Sequence, residues 1–472
     1  MTQRVIRLLC DAQNYPWGKV GTDSIISQMG PEASGKDWKF SETTPYAELW
    51  MTTHPNLPSR LYESPSTTLS SHLDAHPELL GIVPQKFPKP VEGKNEKHVP
   101  FLFKILTCKQ ALPLQIHPDK KLAAELHARD PSKFVDANHK PEIACALTPF
   151  LGFAGFAPFD RIATNISTIP ELRDFLQPLP SYQLFLDDRL NSSKLKALVK
   201  DILLLNPKSS GILESAKDVL KTLTGTQDPP MERGGGDAQG VIRSLIDRVE
   251  QHGPEAVFAG TMWNDDQKQR ISAALRKTQE FYAGDPGIIV ACFFMNLIEL
   301  QPGEAMYVQE DGLHAWLDGQ IIELMANSDD VLNAAFIEGG EKDDINIFID
   351  TMTCDPRPAE TYKLERHNWA LSRGAGATVY QVPAEEFSLF HIVGTDASTT
   401  VAPLNGPAIA IVTAVSSSGS QITDKTCGTM INVKKGQVYF VGAGTEIEYG
   451  PGVEVWAAFY DDQNRGQTGN MK

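Results

Sequence analysis

Between Asp160 and Tyr282 the chain drops the short apolar runs that flank it and takes up helical periodicity, which limits the folds open to it more than any other feature. The stretches SSKLKALVKDILLL, ILESAKDVLKTL, GVIRSLIDRVEQHG and DQKQRISAALRKTQEFY repeat apolar residues at helical spacing. From Arg4 to about Pro158, by contrast, runs such as PFLFKILTC (100–108) and LPLQIHP (112–118) alternate with turn-rich segments, as strands do. Strand patterns return at Gly287 in GIIVACFFMNLIELQPGEAMYV and GQIIELMA, then in FSLFHIV, PAIAIVTAV, GQVYFVGAG and VEVWAAFY. The expected architecture is mainly β with an all-α insert. Residues 1–158 and 284–355 form one β unit, residues 159–283 the helical insert, and residues 356–472 a second antiparallel barrel or sandwich. QPGEAMYVQEDGLHAW and KKGQVYFVGAGTEIEY share a texture that two related β-barrels would explain, as would convergent turn chemistry.

A chain of 472 residues is too long for one small core, which agrees with several packed units. Its formal charge of −16 argues against nucleic acid as the main partner, because a phosphate backbone demands a concentrated basic face. A small anionic substrate needs only a few local cations and stays open. The six cysteines are scattered without a CxxC pair and read as free thiols of a reducing compartment. No run approaches the ~18 apolar residues of a membrane span, so a cytoplasmic protein without membrane contact is expected. The Pro- and Gly-rich stretch TGTQDPPMERGGGDAQG (224–240) reads as a surface loop, since no strand precedes it and no Lys-Ser/Thr follows to make a phosphate cradle.

Four residues suggest a metal. In LPLQIHPDK, Gln115 and His117 are two apart on a strand-like segment, so both side chains enter the same interior. In HKPEIACAL, the carboxylate of Glu142 adjoins apolar residues and needs a partner when buried. His314 ends a turn between the strand-like EAMYV and GQIIELMA. Two imidazoles, a carboxylate and an amide suit zinc, and a set without thiolates leaves room for water or substrate at the ion.

The segments YPWGKVG (15–21), PYAELWMTTHP (45–55), PFLFKIL (100–106), LPLQIHPDK (112–120), DANHKPEIACALTPFLGFAGF (136–156), PGEAMYV (302–308) and GQIIELMANSDD (319–330) closely resemble type I mannose-6-phosphate isomerases, in the family's order. The resemblance implies cupin-type, jelly-roll β-barrels around one zinc ion per chain, held by Gln115, His117, Glu142 and His314. It implies interconversion of mannose 6-phosphate and fructose 6-phosphate through an enediolate, supplying mannose for GDP-mannose and glycan synthesis in a monomeric enzyme. It places Lys140, Glu323 and Asp329 among the catalytic groups, with either Lys140 or an acid moving the proton. It assigns Lys104, Trp17, Glu48 and Trp316 to the substrate, with Lys104 helping to neutralise phosphate.

The chain departs from the family where SDNVVRAGLTPK reads SDDVLNAAFIEG. Asn333 stands at the position of the pocket arginine and Ala335 at that of the following glycine. HAY becomes HAW at Trp316, and Pro113 replaces a serine two before Gln115. Asparagine cannot supply a permanent fork-shaped cation, and losing one from a transition state costs on the order of a hundredfold in rate or more. The alternatives are therefore an isomerase of another sugar phosphate or a non-catalytic paralogue that binds zinc and sugar phosphate.

Overall fold

The computed structural model describes residues 2–87, 98–205, 237–337, 344–374, 377–416 and 419–462. The ILESAKDVLKTL segment and most of the 224–240 stretch lie outside them. The first β unit is an eleven-stranded antiparallel assembly organised by one long strand, His314–Ala326. The C-terminal half of that strand pairs with Phe101–Cys108 and Glu142–Ala146, its N-terminal half with Phe150–Phe156 and Leu114–Ile116. One strand thus serves two sheets, as happens at the corners of packed sheets. The expected β architecture with a helical insert is present, as a double-sheet jelly roll whose hydrogen-bonded path among the described residues does not close.

The long strand works for both sheets because it contains an extra residue. Leu151 faces Asp318 and Gly152 faces Trp316, so Leu317 is a bulge. Before it the even residues His314 and Trp316 point inward; after it the odd residues Ile321, Glu323 and Met325 do. Ile322, Leu324 and Ala326 are left for the opposite face. Gly319 follows with φ +120°, and a Cβ there would lie 2.7 Å from the Pro149 carbonyl oxygen and 2.8 Å from the Phe150 Cα. Gly319→Ala is expected to cost roughly 2–4 kcal/mol, combining backbone strain with a clash against main chain that cannot swing away. A shift of the urea unfolding midpoint measures it.

Two apolar layers flank the unit, and a third forms the core of the second β domain. Phe101, Phe103 and Ile105 alternate with inward residues and pack, with Ile322 and Leu324, against Ile6, Leu8, Leu389, Ile411 and Phe440 of the second β domain. That domain's own core lies between its eight-stranded and five-stranded sheets and includes Trp369, Phe390, Tyr449 and Phe459. On the other side, Leu114, Ile116, Phe153, Leu313 and Ala315 carry the helical insert. Its helix Asp265–Phe281 begins in a reciprocal Asn264–Gln267 capping box.

Two expectations need correction. Gly287–Phe294 is a fully buried helix, not a strand; an unbroken apolar run carries no period, and the Asp285 carboxylate accepts from the Gly287 N–H to start the turn. The strand Val5–Leu9 does not join the first unit but pairs with Val438–Val441 of the C-terminal sheet. All six cysteines are free. No helix among the described residues is long and apolar enough to cross a membrane.

Candidate metal centre

Glu142 and His314 are the first residues of their strands, and Gln115 lies directly opposite His314 in the strand Leu114–Ile116. His117 follows that strand at once. Its Nε2 is 3.2 Å from Glu142 Oε1, and His314 Nε2 is 3.3 Å from Glu142 Oε2. The Gln115 amide lies 3.3 Å from His314 Nε2. All four expected ligands therefore converge on one point, and His117, Glu142 and His314 are buried.

The protonation pattern fits a cation. His117 Nδ1–H donates to the Asp330 carbonyl and His314 Nδ1–H to the Gly312 carbonyl, each at 2.9 Å. Both rings thus turn Nε2 toward Glu142, and an Nδ1–H held by a backbone carbonyl is the usual second contact of a metal-binding histidine. Burial lowers the His117 pKa to about 4 and keeps that ring neutral. His117 Nε2 and Glu142 Oε2 are buried without a hydrogen-bond partner. Two imidazoles and a carboxylate held this way suit a divalent ion, and rotation of the Gln115 amide would add an oxygen. The turn before His314 is held by Asp311, which has φ +61° and whose N–H donates to the His117 carbonyl.

A ladder of charge crosses the neighbouring strands. Lys104 faces Glu323 on one side and Trp50 on the other. Its Nζ is 3.2 Å from Glu48 Oε1, 3.8 Å from Glu323 Oε2 and 4.6 Å from the centre of the Trp50 ring. Burial opposes the lysine's charge, but Glu48, Glu323 and Glu142 outweigh it and raise its pKa. Lys104 is therefore held between two carboxylates. Burial and the nearby Glu142 raise the Glu323 pKa to about 7. Trp316 is completely buried, donates to Glu323 Oε1 at 2.7 Å and packs on His314. It lies behind the site and offers no surface to a substrate. Below it Leu106, Ala144, Phe150 and Ile298 plug the interior of the double sheet.

The remaining expected residues lie at varying distances from the centre. Lys140 Nζ is 3.7 Å from Glu142 Oε1. Trp17 is half-buried and stacks with Tyr15, which sits close enough to Glu48 and Asp329 that burial and their charges raise its pKa. Asn333 is the cross-strand neighbour of Gln115, so the position of the family's arginine faces the metal side. Asp329 belongs to a second group, with His54 Nε2 at 3.7 Å and Asp136 also near that nitrogen. Sequence reading missed Tyr15, His54 and Asp136 as individual residues, although each lies in a segment that carries the resemblance.

The model of the type I phosphomannose isomerase catalytic domain matches residues 5–159. The mannose-6-phosphate isomerase of Candida albicans is 32% identical over 461 residues, covering 95% of this chain and 95% of its own. That of Cryptococcus neoformans is 33% identical, covering 98% of this chain and 100% of its own. In fold, a crystal structure of a phosphomannose isomerase variant from Salmonella typhimurium superposes with a TM-score of 0.73 at 21% identity, covering 97% of this chain and 100% of its own. A mannose 6-phosphate isomerase bound with zinc and yttrium superposes at 0.71 and 22%, with the same coverage.

Proposed function

Because the chain belongs to the type I mannose-6-phosphate isomerase family, we propose that its buried centre holds one zinc ion and that the pocket above it interconverts mannose 6-phosphate and fructose 6-phosphate. The observation that carries this reading is the pair of histidine Nε2 atoms converging on Glu142, each ring fixed from behind by a backbone carbonyl. When bound, zinc supplies a Lewis acid that orients the substrate oxygens and offsets the charge of the enediolate.

The protein's own groups do the rest. An aldose–ketose isomerisation moves one proton from C2 to C1, so it needs a base at the pocket surface that can return what it takes. Lys140, beside Glu142 and partly open to the pocket, fills that role. Glu323, deeper and fixed by Trp316, keeps Lys104 in place as a fixed positive charge behind the developing anion. Asp329 and Tyr15 line the entrance, where the sugar is held. Every ligand comes from one chain, so the centre needs no second subunit, and its product supplies GDP-mannose and glycan synthesis.

Purified protein with zinc is expected to interconvert the two hexose phosphates in a coupled assay. Asn333→Arg is expected to raise kcat/KM about tenfold or more, by restoring a bidentate cation opposite Gln115. No turnover by the unaltered protein at high concentration would overturn the reading. The placement of Asn333 also favours a second reading, an isomerase of a different sugar phosphate, which a panel of aldose and ketose phosphates would reveal.

A further inference from the structure

His139 immediately precedes the Lys140-Pro141-Glu142 segment and lies between two carboxylates from distant parts of the chain. Its Nδ1 is 3.1 Å from Glu310 Oε1 and its Nε2 is 2.9 Å from Glu386 Oε1. Carboxylate oxygens facing both ring nitrogens require both to donate, which is the imidazolium form. Burial opposes that form, but Glu310 and Glu386 outweigh it and raise the His139 pKa to about 9. Glu310 is in the turn leading to His314. Glu386 comes from the C-terminal β domain, just before its strand Ser388–Ile392, and is almost wholly buried. Lys120 Nζ, on an exposed side chain, approaches the same Glu386 oxygen at 3.6 Å. On the other side of the segment, the Ser328 hydroxyl donates to the Asn138 carbonyl and the Ala326 N–H to that of Pro141.

We propose that Glu386 is a positioning residue for the pocket, clamping His139 against Glu310 so that the C-terminal β domain holds Lys140 and Glu142 in place. The C-terminal domain contributes no expected metal ligand, yet through this contact it reaches the turn that leads into the strand Glu142–Ala146. A buried imidazolium between two carboxylates holds three segments at a common point: the Lys140 loop, the turn before His314 and the second domain. The proposal rests on the isomerase reading of the pocket, and two separate readouts distinguish failure of one from failure of the other.

The test compares full-length, zinc-loaded wild type with Glu386→Gln, His139→Gln and the double variant. Each single variant is expected to lower kcat about tenfold with KM within about twofold, as outer partners of a metal site do, and the double variant to be no worse than the singles. Amide hydrogen exchange read by mass spectrometry is expected to quicken in peptides covering 136–146 and to stay unchanged across the strands of the C-terminal domain. Unchanged kcat and exchange in Glu386→Gln overturn the proposal, as does faster exchange throughout the C-terminal domain, which marks a purely structural contact. If wild type shows no isomerase turnover, the isomerase reading fails and the exchange pattern alone decides the clamp.

Discussion

Glu142→Ala is expected to lower isomerase kcat on the order of a thousandfold and to leave the purified protein with little bound zinc, because several kcal/mol of charge stabilisation go with the ion. Glu142 is the one anionic member of the group, and its two oxygens face His117 at 3.2 Å and His314 at 3.3 Å. Without it, two imidazoles and an amide would have to hold a dication with no compensating charge. The fold should survive, since alanine at a strand's first residue keeps the backbone pairing and removes a buried ion. Zinc content by atomic absorption, measured beside kcat, separates loss of metal from loss of structure. A variant that kept one zinc per chain and most of its turnover would move the centre elsewhere.

Lys104→Met is expected to cost about 3–5 kcal/mol of stability, the usual consequence of removing one member of a buried ion group. Methionine fills similar volume, so the effect is mainly electrostatic: Glu48 and Glu323 would remain buried with no cation between them. Glu323 already titrates near 7 because of burial and its acidic neighbours, and loss of the lysine would push it higher still. Adding Glu323→Gln should return part of the lost stability while activity stays low. Urea unfolding of the single and double variants measures the coupling. A midpoint unchanged by Lys104→Met would mean that the lysine's charge is not what holds the ladder.

The helical insert was readable because its apolar residues recur at helical spacing on helices such as Ser192–Leu203 and Ala238–His252. Gln115 and His117 were readable because a two-residue spacing on a strand points both side chains one way. The bulge at Leu317 was not readable, since an extra residue leaves no compositional mark, yet without it His314 and Glu323 could not face the same interior. The fates of Lys104 and Trp316 were hidden because cross-strand neighbours far apart in sequence determine them. Glu386 was hidden for the same reason, being 247 residues from His139. Gly287–Phe294 misled through uniform apolarity, which suits a buried helix and a buried strand equally.

The pairing of Val5–Leu9 with Val438–Val441 sets an order of events during synthesis. The strand Val5–Leu9 leaves the ribosome long before its neighbour in the sheet, Val438–Val441. Until then the edge that receives Val438–Val441 has no native partner, although the other edge can already pair with Arg60–Leu61. Closing so long a loop is a late and entropically costly step, so the two β units cannot mature as independent beads on a string. A nascent chain halted before residue 438 should therefore be more protease-sensitive around Val5–Leu9 than one extended past Val441.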